Sequence, residues 1–230
     1  MQYLWNKCQQ SGHKYIENYR ILKKYSKDKI FHNLLGNNNS KVKCLTFGLP
    51  IELSCSPILE KNSICSICYA RNCRYLYPSV QYGQIRRMYA FFLDKNRFIN
   101  SCIRQINYSR HNYVRLHDSG DFFSIEYIEA WQQIVKKCRG KKFFSPTRRY
   151  LDKQILKQLI KLNAIPNVVI RPSALFIDQE APIITGLSFG TAVNSKFGTC
   201  KATVNHSSCI EENCRKCWNR QCKNIVFKQH

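Results

Sequence analysis

Two rhythms of apolar residues alternate through the middle of the chain. Tyr113-Val-Arg-Leu-His117, Lys142-Phe-Phe-Ser145 and Asn167-Val-Val-Ile-Arg171 are short runs rich in β-branched and aromatic residues, which predicts strands. Between them apolar side chains recur every three or four positions, first at Ile125, Ile128, Trp131, Ile134, Val135 and Cys138. They recur again at Ile155, Leu156, Leu159, Ile160 and Leu162. That period is the stripe of a helix with one buried face. Ser124 and Asp152 stand just ahead of these stretches, where a short oxygen-bearing side chain accepts a free amide of the first turn.

The same reading extends outward. Val42–Gly48 predicts an earlier strand, ended by Gly48 and Pro50, and Gly186-Leu-Ser-Phe-Gly190 predicts a fifth. A helical pattern runs from Val80 to about Ile106, with Met88, Phe91, Phe92, Phe98 and Ile99 as its apolar groups. Residues 1–41 are polar and basic and predict an arm, helical from Tyr15 to Tyr25, closed by the loop tract Gly36–Lys41.

Strands alternating with helices of this length predict βαβ units. The units are too few for an eight-stranded barrel. The expected fold class is α/β, as a partial (β/α) barrel or an open, mostly parallel sheet, with a C-terminal cysteine-rich metal-binding module. The expected division is a basic arm over 1–41, the α/β core with the first cysteine cluster over 42–195, and the module over 196–230. Parallel sheets carry their working residues at the C-terminal ends of strands. The first cysteine group, His117–Asp121, Thr147–Arg149 and Arg171–Ser173 all follow predicted strands.

Thirteen cysteines change the picture most. Cys55, Cys65, Cys68 and Cys73 fall within nineteen residues, and Cys200, Cys209, Cys214, Cys217 and Cys222 crowd the other end. Cys-x2-Cys pairs at 65/68 and 214/217 suit a metal or an iron–sulfur cluster better than a disulfide framework. Three thiolates from Cys55, Cys65 and Cys68 on a [4Fe–4S] cluster would leave one iron open to the amino-acid end of S-adenosylmethionine, with Ile67 against the adenine. Cys73 as a fourth ligand would instead close the site. The C-terminal group has one thiolate more than a closed site needs, with Cys222 or Cys200 spare, and would hold zinc or a second [4Fe–4S] cluster. The low apolar content of the last 30 residues leaves much of their folding energy to that metal.

Acids are scarce, so two of them inside His117-Asp-Ser-Gly-Asp121 stand out. Ser119, Gly120 and Asp121 are candidates to position the methionine moiety, Gly120 by allowing close approach and Asp121 by accepting from an ammonium group. Asp118, Asp121 and Arg148 are the candidate catalytic residues. The same segment could equally shape a turn, or bind a divalent metal with His117.

Lysine and arginine number 37 against 14 acids, a formal charge of +23, which implies a polyanionic partner. Nucleic acid is expected, DNA or RNA, with Arg86, Arg87, Arg148, Arg149 and Arg171 as phosphate contacts and Arg148–Arg149 facing the site. Such pairs on helices can also be no more than a solvated face. No apolar run approaches ~18 residues and the first residues lack a signal-peptide stretch, so an intracellular, cytoplasmic protein with no membrane partner is expected. Thiols stay reduced there.

Several segments resemble, in order, the phage gene-product-88 family. They are Ser54-Cys-Ser-Pro with Ile64-Cys-Ser-Ile-Cys-Tyr-Ala-Arg71, Tyr77-Pro-Ser-Val80, Arg115-Leu-His-Asp-Ser-Gly-Asp-Phe122, Thr147-Arg148 and Cys214-Arg-Lys-Cys-Trp218 with Lys223-Asn-Ile-Val226. The resemblance runs from about Gly48 to the C-terminus. It implies an iron–sulfur protein of mobile elements or phages, similar to radical S-adenosylmethionine proteins, with Cys55, Cys65 and Cys68 as first-cluster ligands. The usual radical motif spaces its cysteines three and then two apart, whereas nine residues separate Cys55 from Cys65 here. The sequence therefore leads to a radical enzyme acting on nucleic acid or nucleotides. The competing reading is a non-catalytic nucleic-acid-binding or ribonucleoprotein component with closed structural metal sites.

Overall fold

The computed structural model describes residues 1–36, 42–58 and 60–229, with the side chains of His13, Lys14 and Cys73 outside the description. Most of the expected loop tract Gly36–Lys41 therefore lies outside the described residues. Four strands, β1 (Leu45–Phe47), β2 (Tyr113–Leu116), β3 (Lys142–Thr147) and β4 (Val168–Pro172), lie side by side in that order. Every pairing is parallel, with Leu45 beside Val114, Tyr113 beside Lys142 and Phe143 beside Val168. Sequential parallel order needs a crossover between neighbours, and helices supply it.

The helices are α1 (Gln2–Ser11), α2 (His13–Lys23), α3 (Lys27–Phe31), α4 (Ile51–Ser54), α5 (Pro78–Leu93), α6 (Lys95–Tyr108), α7 (Ile125–Lys137) and α8 (Lys153–Asn163). Ser124 caps α7 through Tyr127 N–H at 3.2 Å. Asp152 caps α8 through the amides of Gln154 and Ile155 at 3.0 and 3.1 Å. The Val80–Ile106 pattern is two helices, because Asp94 interrupts it. Its carboxylate accepts from Arg97 N–H at 2.9 Å, and this local bond starts a new helix where the apolar period alone showed no break.

Alternation along the strands gives the sheet two different faces. Phe47, Val114, Leu116, Phe143, Val168 and Ile170 join the large core with the helices. Leu4, Cys8, Tyr15, Tyr19, Leu22 and Ile30 belong to that same core, so the basic N-terminal stretch is a packed helical layer rather than a free arm. The helix expected from Tyr15 to Tyr25 is α2, flanked by α1 and α3, and the charges of the stretch sit on the outer side of these helices.

Cys44 and Phe144 point to the second face, where Trp218 from the C-terminal segment covers them. The Trp218 ring meets Tyr113 and Phe144 at 5.3 and 5.5 Å and its N–H donates to the Val114 carbonyl at 3.0 Å. The expected strand at 186–190 is a loop. Gly186 has φ +85°, and Ser188 N–H donates to Ile170 O at 3.1 Å. The strand begins only after it, as β5 (Thr191–Asn194), which pairs in parallel with β6 (Ile225–Lys228) in a separate two-stranded sheet. A short helix α9 (Lys201–Val204) lies between them in sequence.

Candidate functional site

Loops after β1, β2, β3 and β4 meet at the C-terminal end of the sheet, as parallel topology requires of adjacent strands. The β1 loop carries Cys55 straight off α4. Leu49 N–H donates to Ser119 O at 2.9 Å, Ser119 Oγ donates to Leu49 O at 3.1 Å, and Asp121 N–H donates to Ser54 Oγ at 3.4 Å. Gln84 Nε2 adds a 2.8 Å bond to Ser119 Oγ. Gly120 has φ +75°, and a Cβ there would stand 2.5 Å from Ser54 Oγ and 2.7 Å from Leu49 Cβ. What approaches Gly120 closely is therefore the cysteine-bearing loop itself.

Farther along that loop, Ile64 N–H donates to Leu175 O at 2.9 Å and Ile177 N–H donates to Asn62 O at 3.0 Å. These bonds hang the Cys65–Cys68 turn from the segment that follows β4. Both ends of the three-cysteine loop are thus fixed by neighbouring strand ends.

Asp121 is buried and engaged on both oxygens. Oδ1 accepts from Thr147 Oγ1 at 2.7 Å and Phe122 N–H at 2.8 Å, and Oδ2 accepts from Arg148 N–H at 3.0 Å. Burial raises its pKa against the pull of those donors and of the Arg148 charge. Burial also pushes the Cys55 thiol well up, with the charges of Asp121, Cys68 and Cys65 adding to it and Arg148 opposing.

His117, buried and at φ 56°, has Nδ1 on Ser145 Oγ and Nε2 on Tyr127 Oη, each at 3.1 Å. Burial drives its pKa down to about 3. With both ring nitrogens engaged, it serves as a buried neutral pin rather than a metal ligand beside Asp118 and Asp121.

Asp118 differs from its neighbours. Its main-chain carbonyl accepts from the hydroxyls of Tyr69 and Tyr75, the latter at 3.2 Å. Its carboxylate makes no hydrogen bond among the described residues, and its charge acts on Arg115 and Arg87. It lies over Gly48, where a Cβ would stand 2.2 Å from Oδ1. Tyr69, Tyr75 and Arg115 complete this corner, Arg115 Nη2 reaching Tyr69 Oη at 3.4 Å with its buried Nε unpartnered. Sequence reasoning gave these three no role, and only the place of Tyr69 directly after Cys68 pointed to one.

The expected phosphate-binding arginines divide. Arg86 donates to the carbonyls of Lys29, Ile30, His32 and Asn33, and Arg87 to those of Leu34 and Gly48. These two tie the N-terminal layer to α5. Arg171 is fully buried among carbonyls of the C-terminal segment. Arg148 and Arg149 do lie at the site, with Arg148 Nε on Ala174 O at 2.9 Å and Arg149 on Ser56 Oγ and, at 3.3 Å, Asp152. Ile67 is exposed.

Among the described residues no group of three or more His, Cys, Asp or Glu side chains is gathered as a ready-made metal site. The Cys73 side chain, the expected closing ligand, lies outside the description. In the C-terminal group the charges of Cys200 and Cys214 act on Cys209, and those of Cys209 and Cys200 act on Cys217.

Fold and site together define an α/β protein with a parallel sheet that collects cysteine, carboxylate and arginine side chains at its C-terminal end. The Gene product 88 family matches residues 20–205, and the chain belongs to that family. The match spans the first cysteine group and stops short of all the C-terminal cysteines but Cys200. No curated protein and no solved structure matches the chain. Among the described residues, no helix is long and apolar enough to cross a membrane.

Proposed function

We propose that this chain is an iron–sulfur enzyme of the radical S-adenosylmethionine type, acting on a nucleic acid or its nucleotide precursors. The observation that carries the reading is Cys55, Cys65 and Cys68 on one loop, pinned at both ends to neighbouring strand ends. The donor set fits the group, since soft thiolates select iron–sulfur clusters and three of them leave a fourth position for another ligand. Arg148 beside Cys55 supplies positive charge toward an anionic cluster. When bound, the cluster supplies the electron for reductive cleavage of S-adenosylmethionine.

The protein's own residues then take these parts. Cys55, Cys65 and Cys68 hold the cluster. Asp118 accepts from the methionine ammonium, a role first expected of Asp121, whose oxygens are engaged by Thr147, Phe122 and Arg148. Ser119, Gly120 and Asp121 position Cys55 instead of touching the ligand. Arg115, Arg148 and Arg149 meet substrate anion, consistent with the +23 charge of the chain.

The test is anaerobic purification, iron and sulfide counting, and electron paramagnetic resonance of the reduced protein with and without S-adenosylmethionine. A four-iron signal that shifts on adding the ligand is the expected result, and it should persist in Cys73→Ser. A protein without iron, or a signal indifferent to S-adenosylmethionine, refutes the assignment. Loss of the cluster in Cys73→Ser would mean a closed site and a structural role.

A further inference from the structure

Arg171 has no exposed surface. Its Nε donates to Cys217 O at 3.2 Å, Nη1 to Phe189 O at 2.7 Å and Cys222 O at 3.2 Å, and Nη2 to Lys216 O, Asn219 O and Cys222 O at 3.2, 2.7 and 3.3 Å. Every partner is a main-chain carbonyl, and among the described residues no carboxylate pairs with it. An ion held out of water without an opposite charge is costly, and neutral dipoles repay only part of that cost. The ionisable groups whose charges reach it are the thiols of Cys217 and Cys222. A buried guanidinium wrapped by a cysteine turn calls for negative charge within that turn.

The geometry around the turn says where that charge sits. Cys214 N–H donates to Cys209 O at 2.9 Å, folding the two cysteines toward each other. The turn Lys216–Trp218 follows directly, so Cys214-x2-Cys217 forms the knuckle that thiolate metal sites use. Cys209 and Cys217 pack against the same cluster of Cys44, Phe144 and Trp218. Cys200, buried at the start of α9, is tied across to β6 through its N–H on Val226 O at 3.0 Å.

We propose that Cys200, Cys209, Cys214 and Cys217 form a four-thiolate metal centre with Arg171 as its buried counter-charge, and that Cys222 lies outside the ligand set. Four thiolates around Zn2+ or a four-iron core carry net negative charge, which is what Arg171 lacks. Among the described residues these thiols are not gathered as a finished site. Metal binding closes the Lys201–Asn213 segment onto the knuckle, and coordination energy becomes folding energy. The charges of Cys200, Cys209 and Cys214 are the cysteine charges that bear on Cys209 and Cys217, whereas Cys222 is turned to Arg171, which it meets by its charge and by a carbonyl that takes two donors. The inference stands independently of the first cysteine group.

The experiment uses the full chain with Cys55, Cys65 and Cys68 all changed to Ser, so that any metal retained belongs to the C-terminal group. The same ratios are read by difference in the wild-type background. Metal content is measured after anaerobic purification, and x-ray absorption reports sulfur coordination and whether zinc or iron is bound. One zinc ion or one four-iron cluster per chain is expected, lost in Cys209→Ser or Cys214→Ser and kept in Cys222→Ser. Arg171→Gln should release the metal to a competing chelator at least tenfold more readily, with Arg171→Lys nearer the parent. Circular dichroism checks the fold, and if Arg171→Gln does not fold the Arg171→Lys comparison carries the test. No metal in the triple-serine protein together with no difference in wild type would overturn the proposal. So would loss in Cys222→Ser, or metal as tightly held in a folded Arg171→Gln protein as in its parent.

Discussion

His117 makes the stability of this protein depend on pH in a way that can be isolated. Its ring is 2% exposed, packed edge-on to Phe122 at 4.3 Å, with both nitrogens on hydroxyl groups. Its native pKa is lowered to about 3, whereas an unfolded histidine titrates near ~6.5. Between those values the unfolded chain binds a proton that the native state refuses, so stability rises with pH across the window and falls as pH drops through it. Each pH unit costs about 1.4 kcal/mol once the unfolded histidine is charged, so moving from pH 7 to pH 5 removes about 2 kcal/mol through this residue. Asn tolerates the left-handed backbone at position 117 and does not titrate. His117→Asn should be less stable than wild type at pH 7, and the gap should narrow by about 2 kcal/mol at pH 5. Urea unfolding followed by tryptophan fluorescence at the two pH values measures the gap, and other titrations common to both proteins cancel. A gap of the same size at both pH values would refute the reasoning.

Three further changes test the framework around the site. Gly120→Ala combines a left-handed backbone penalty with a Cβ inside 3 Å of Ser54 and Leu49, and should cost about 2–5 kcal/mol in urea unfolding; a loss below about 0.5 kcal/mol would mean the two loops are not locked together. Asp121→Asn sets an amide NH2 against one donor (Arg148 N–H) or two (Thr147 Oγ1 and Phe122 N–H) and should cost about 1.5–3 kcal/mol, with faster loss of the proposed cluster to a chelator; unchanged stability would remove Asp121 from its positioning role. Asp152→Ala removes the α8 cap and should cost about 1 kcal/mol without altering metal content. For the proposed nucleic-acid partner, anisotropy titrations with labelled DNA and RNA should show log affinity falling linearly with log salt, and replacing Arg148 and Arg149 should flatten the slope by about 0.9 for each phosphate no longer neutralised. Salt-independent binding would exclude phosphate recognition.

The parts of the fold visible in the sequence are those written in local chemistry. Ser124 and Asp152 announced their helices because a cap and its amides lie within three residues of each other. Strands β2 to β4 showed as short apolar runs between helical stretches, and their parallel order followed from the alternation. What was hidden depends on distant partners. Arg86 and Arg87 look like a phosphate clamp until the carbonyls of residues 29–34, more than fifty positions away, are brought against them. Arg171 read as a strand-end arginine facing a ligand, and its partners come from the 216–222 turn. Of the N-terminal helices only α2 was legible, as the helical stretch from Tyr15 to Tyr25; that the layer packs into the core was not, because lysines dilute the stripe that Leu4, Cys8, Tyr15 and Leu22 bury. At the site, convergence of the strand ends was legible, whereas the division of labour between Asp118 and Asp121 was set by which oxygens Thr147 and Arg148 reach.

The cover of the second sheet face is made well after the face itself. Phe144 leaves the ribosome roughly 70 residues ahead of Trp218, an interval of roughly 4–15 s at cellular elongation rates. During that time β3 and β4 can pair while Tyr113, Phe144 and the Arg171 guanidinium remain open to water. The nascent chain thus passes through a stage with a finished helical side and a bare sheet, a surface suited to holding chaperones and vulnerable to aggregation. The cysteines of the 214–222 segment arrive together with the lid they belong to, so at the four-thiolate centre proposed above metal supply and closure of the sheet would be one kinetic event.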